Sequence, residues 1–162
     1  MPVTDVTTDP DSRTITIEAR FNAPVERVWA LYADARQLEK VWGPPTHPAT
    51  FLDHELTVGS RSTYFMTGPE GEKYAGFWEI TGVDEPWSFA FEDGFADADD
   101  FTPTPGLPVS HNVFTFEAAD GGTRAVYTST YDTVEALQQV LDMGVEEGAR
   151  SSIDQIDGFL AA

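Results

Sequence analysis

The stretch from Thr133 to Leu160 constrains this chain most, because it reads as one long amphipathic helix with a single apolar side. At about 100° per residue, Val134, Leu137, Leu141, Val145, Ile156 and Phe159 fall on one stripe, with Gly144, Gly148, Ser152 and Gln155 in the same sector. Gln139, Asp142, Glu146, Arg150 and Asp157 project the other way. Such a helix has one partner surface. Gly144 and Gly148 remove side chains from the middle of the buried stripe, which leaves room for a close-packed neighbour or for a cavity.

The preceding chain supplies that partner as strands. Residues 1–12 carry no apolar period and are expected to be a flexible arm. In TITIEARF, Ile15, Ile17, Ala19 and Phe21 alternate with Thr14, Thr16, Glu18 and Arg20, the pattern of a half-buried strand. Asn22 and Pro24 then open a helix with Val25, Val28, Trp29 and Tyr32 inward, and Asp34 caps a second that ends before Gly43-Pro44-Pro45. Six more strands are expected near Ala49 to Leu56, Ser60 to Met66, Tyr74 to Val83, Trp87 to Glu92, Val109 to Glu117 and Thr123 to Tyr131. Gly68-Pro69-Glu70-Gly71 and Asp120-Gly121-Gly122 serve as hairpin turns and Asp84-Glu85-Pro86 as a corner. Asp93 to Pro108 reads as a long irregular segment. The implied fold is α+β: about seven antiparallel strands, two short helices after the first, and a long C-terminal helix that the sheet must curl around.

Bulk properties narrow the function. The chain has 162 residues, enough for one domain with a substantial core. With 28 acidic and 9 basic residues its net charge is −19, a surface that repels phosphate backbones and anionic membranes, so neither nucleic acid nor membrane is expected as a partner. The absence of cysteine excludes disulfides and thiolate chemistry and accords with a cytoplasmic location. The histidines show no metal-site spacing, Asp97, Asp99 and Asp100 lack the rest of a calcium loop, and no phosphate-cradling or nucleophile motif is present, so no metal or cofactor is expected.

The segments FNAPVERVWALYAD, VWGPP, HELTVGS, MTGPEGEKYAGFWEI, FEDGFAD and GGTRAVYTSTYDTVEALQQVLDMGVEEGARSSIDQID, in this order, resemble the START-like (SRPBCC) superfamily with its helix-grip fold. They resemble more closely the branch related to the activator of the ninety-kilodalton heat-shock-protein ATPase. The resemblance covers nearly everything after Arg13 and implies a single START-like domain over residues 13–162. It does not fix a function, because the superfamily holds lipid carriers, aromatases and cyclases, and co-chaperone domains. Gly59-Ser60 stands where relatives often have paired glycines, and the co-chaperone relatives act with additional domains.

Strand parity places Trp42, His54, Tyr64, Met66, Trp78, Phe89, Phe91, Asn112, Phe114, Tyr127 and Met143 around one chamber, with Phe95 and Phe101 on a lid and Glu147 at the flank of the helix stripe. His54 is a candidate for orienting a ligand carbonyl or hydroxyl, against the plainer reading of a satisfied core histidine. Glu147, if buried, is a candidate acid or base. The leading expectation is a non-catalytic protein that binds a small hydrophobic or aromatic molecule. Its rivals are a cyclase, dehydratase or hydrolase using His54 and Glu147, and a module that binds a chaperone or another protein; a homodimer also stays open.

Overall fold

In the computed structural model, which describes residues 2–161, eight antiparallel strands form one sheet in the order β1-β2-β8-β7-β6-β5-β4-β3. The strands are β1 (Val3–Asp9), β2 (Thr14–Phe21), β3 (Ala49–Asp53), β4 (Arg61–Thr67), β5 (Lys73–Asp84), β6 (Ser88–Ala96), β7 (Val109–Ala119) and β8 (Gly122–Thr130). Helices α1 (Val25–Ala33) and α2 (Ala35–Val41) carry the chain from β2 to β3, which lies at the far edge. Helices α3 (Val134–Asp142), α4 (Val145–Asp154) and α5 (Ile156–Ala161) follow β8. This is the α+β helix-grip arrangement expected from the sequence. Met1 and Ala162, the outer ends of the expected arm and domain, lie outside the described residues.

Three expectations need correction. Residues 3–9, read as a flexible arm, are β1, paired with β2 from Val3↔Ala19 to Asp9↔Thr14. An edge strand buries little, and in β1 only Val3 is fully buried, so it shows no apolar alternation. The single C-terminal helix is three segments: Gly144 adopts φ +82°, a left-handed conformation that ends α3 and starts α4, and a second boundary falls at Gln155, between α4 and α5. The third is the end of β6: the strand continues to Ala96 and takes Asp93 and Phe95 out of the expected loop. Gly94 pairs with Phe77, and a Cβ there would meet the Phe77 ring at 2.7 Å.

Local signals explain the remaining boundaries. Asp34 caps α2, its Oδ1 accepting from Arg36 N at 2.8 Å. Helix α1 starts from Pro24 without a side-chain cap, so Asn22 does not fill the role expected of it. The β7–β8 hairpin turns through Asp120 and Gly121, both at positive φ, as a tight two-residue connection requires. In β3 the register shifts between Phe51 and Asp53, and this buries Phe51 while Leu52 points to solvent.

Two helical layers divide the concave face. Helix α1 fills one half: Tyr32 stacks on Phe116 at 5.6 Å and Trp29 meets Phe89 edge-on at 5.7 Å, while Trp78 stacks on Phe91 at 4.1 Å. The α3–α5 arm spans the other half and is clipped at both ends. On one side Val3 N donates to Asp154 Oδ1 (3.1 Å) and Thr8 Oγ1 to Glu146 Oε2 (2.9 Å). On the other, Gln155 Nε2 donates to the Gly43 carbonyl at 2.9 Å.

Candidate functional site

Under the α3–α5 arm lies a cavity of about 440 Å³. It exists because α4 crosses the sheet with Gly148 and Ala149 facing inward: no atom comes within 4 Å of a Cβ placed on Gly148. Most of the wall is apolar, from Ile15 and Ile17 on β2 through Phe114 and Tyr127 to Ile153 and Ile156 on the arm. Tyr74 and Met143 line the volume yet are about half exposed, which places the opening between β5, the 43–48 loop and the α3–α4 corner. The volume falls in the range of small-molecule sites, roughly 300–1,000 Å³.

One polar seam crosses this wall. Tyr64 Oη donates to Asp93 Oδ1 at 2.8 Å. Beside them, Ser129 Oγ donates to Asn112 Oδ1 (2.6 Å) and Asn112 Nδ2 to Ser110 Oγ (2.9 Å). The Ser110 hydroxyl in turn reaches the Asp93 carbonyl at 3.3 Å. Burial pushes the Asp93 carboxyl up to about 7, an effect the Tyr64 hydrogen bond only partly offsets. Burial and then the Asp93 charge push Tyr131, at the end of the seam, up to about 12. At neutral pH the site therefore holds neutral tyrosines around a carboxyl near its midpoint.

Eight of the expected site residues line this volume: Trp42, Tyr64, Met66 and Phe95 toward one end, and Asn112, Phe114, Tyr127 and Met143 toward the other. Five do not. Trp78, Phe89 and Phe91 are inward but at most 1% exposed, because α1 and Phe51 pack against them and leave no open surface. His54 is the satisfied core histidine: Nε2 donates to the Tyr32 carbonyl at 2.6 Å and Nδ1 pairs with Ser62 Oγ at 2.7 Å. Burial lowers its pKa and keeps it neutral. Glu147 is exposed, since the break at Gly144 resets the helical phase and brings the adjacent Glu146 to the cavity instead. His54 and Glu147 thus cannot act as an acid and base pair on one ligand. Phe101 is also outside the lining; its carbonyl accepts from Arg61 Nη2 at 2.9 Å, so the expected two-ring lid reduces to Phe95.

Sequence reasoning missed Asp93 because the strand was ended one residue short of it. The signal was present in the alternation Phe89, Phe91, Asp93, Phe95, which puts all four on one face.

The whole chain has close structural counterparts. Protein Ms6760 from Mycobacterium smegmatis is 68% identical, with 98% of this chain and 97% of that chain covered and a TM-score of 0.91. A protein from Arthrobacter aurescens solved by NMR is 44% identical over 98% of this chain and 92% of that one, with a TM-score of 0.94. One from Staphylococcus epidermidis is 27% identical over 98% and 94%, with a TM-score of 0.83. No curated protein matches the chain. Residues 22–161 match the family described as activator of Hsp90 ATPase homolog 1-like protein, and the chain belongs to that SRPBCC-type family.

Proposed function

We propose that this protein binds a small apolar or aromatic molecule, without transforming it, in the cavity between the sheet and the α3–α5 arm. The observation that carries this reading is the unfilled volume beneath Gly148, whose walls are mostly apolar and carry the Tyr64–Asp93 seam. Burial of ligand surface supplies affinity at about 25 cal/mol per Å² before the entropic cost of association. The seam supplies orientation. A protein-interaction module would have a filled core in this region, so the open volume weighs against that alternative. The reading retains the cytoplasmic location expected from the sequence.

Native mass spectrometry of the protein purified from its own host tests the proposal. The expected spectrum shows a one-to-one adduct that organic extraction removes and a Gly148→Trp variant lacks. An adduct equally present in the variant would place the ligand elsewhere and overturn the assignment.

A further inference from the structure

The charge of the cavity wall names a ligand class. The lining contains two carboxylates, Asp93 and Glu146, and one histidine, His47, whose Nδ1 pairs with Thr46 Oγ1 at 2.8 Å, but neither lysine nor arginine. Glu146 is engaged at Oε2 by Thr8. Asp93 is engaged at Oδ1 by Tyr64, while its Oδ2 accepts no hydrogen bond among the described residues and is not sealed by neighbouring atoms. This oxygen therefore faces the empty volume. No lysine, arginine or histidine of the described residues forms an ion pair with Asp93. A carboxyl group set deep in a protein without a cation is unfavourable as an anion, and a ligand that brings a cation relieves it.

We propose that the cavity selects apolar molecules bearing a basic nitrogen, whose ammonium group pairs with Asp93 Oδ2, and that it rejects ligands bearing a carboxylate. This rests on the ligand-binding reading above and deepens it.

Geometry and field agree on the sign. Tyr64 fixes the carboxyl through Oδ1 and leaves the other oxygen for a charge-assisted hydrogen bond, roughly twice as strong as a neutral one. The rings of Trp42, Phe95 and Tyr131 belong to the same lining, and aromatic rings attract a cation that reaches their faces. The net charge of −19 concentrates cations at any acidic opening. A ligand carboxylate would meet Asp93 and Glu146 with no lysine or arginine in the lining to hold it.

The test uses three probes with one ring system: 2-(1-naphthyl)ethylamine, 2-(1-naphthyl)ethanol and 1-naphthylacetate, titrated calorimetrically into the full chain at pH 8. The expected order is amine, then alcohol, then acid, with the amine about tenfold tighter than the alcohol. In Asp93→Asn, whose amide oxygen can still accept from Tyr64, the amine and alcohol converge to within about twofold, since the Nδ2 that replaces Oδ2 is a donor and leaves the ammonium without its acceptor. Alcohol binding as tight as the amine in the unaltered protein, or an amine preference that survives Asp93→Asn, would overturn the inference. If the variant fails to fold, the probe order in the unaltered protein decides alone. Alcohol binding that Gly148→Trp abolishes supports the parent reading whatever the amine does; binding by none of the three probes removes both.

Discussion

The hydroxyl of Tyr64 on β4 donates to Asp93 Oδ1 on β6 at 2.8 Å, across the intervening strand β5. Both residues line the cavity, so the Asp93 carboxyl is held in a fixed orientation in a mostly apolar wall. The consequences for stability and binding run in opposite directions, as is common where a site stores unfavourable desolvation.

Asp93→Asn is expected to stabilise the protein at alkaline pH. The folded carboxyl sits at about 7, above the ordinary 3.8. Its contribution is fully present below that ordinary value and is lost as pH rises through the folded one. At pH 8 the variant should exceed the unaltered protein by on the order of 2 kcal/mol, allowing for water that reaches Oδ2, and near pH 4 the difference should vanish. Urea denaturation at both values measures this. Equal stabilities at pH 8 would show that the carboxyl is not desolvated.

His54→Ala should have a structural effect. It leaves the Tyr32 carbonyl and the Ser62 hydroxyl without their partner, at about 2–3 kcal/mol. Burial lowers the folded pKa of His54, so its contribution is present above about 6.5 and is lost as pH falls through the lowered value. Denaturation at pH 8 and pH 5 should therefore show a larger gap at pH 8. Titration of the neutral dye Nile red should give nearly the same affinity for both proteins, because His54 lies outside the lining.

Two glycines of the C-terminal arm should respond oppositely to alanine. Gly144 at φ +82° cannot take a Cβ without strain, so Gly144→Ala lowers stability by about 1 kcal/mol or more. Gly158 lies inside α5 with no atom within 4 Å of an added Cβ, and Gly158→Ala gains about 0.5–1 kcal/mol from helix propensity. Thermal melts of the two variants check the pair of signs.

The sheet was legible because β2, β7 and β8 alternate buried and more exposed residues over a hairpin-connected meander. In β8 that pattern ran unbroken through Ala125, Tyr127 and Ser129, and in β7 through Asn112, Phe114 and Phe116. The amphipathic arm was legible as a stripe but not as three segments, since the same periodicity describes a straight helix and one turned at Gly144. Periodicity also could not tell which inward rings face a void. Phe91 and Phe114 share an inner face, yet Phe91 is sealed by Trp78 while Phe114 keeps surface on the cavity; the difference is set by where α1 and α4 land. His54 and Glu147 were weighed as a catalytic pair from polarity alone, and their surroundings assign one to the core and the other to solvent.

The space beneath Gly148 bears the whole account, and Nile red titration of the unaltered protein against Gly148→Trp tests it most directly. The substitution projects a ring into a region where no atom lies within 4 Å of the added Cβ, so the fold should be kept while the cavity fills. The unaltered protein should show one saturable dye site, and the variant should lose it with an unchanged melting temperature. Equal dye uptake by both proteins would contradict this.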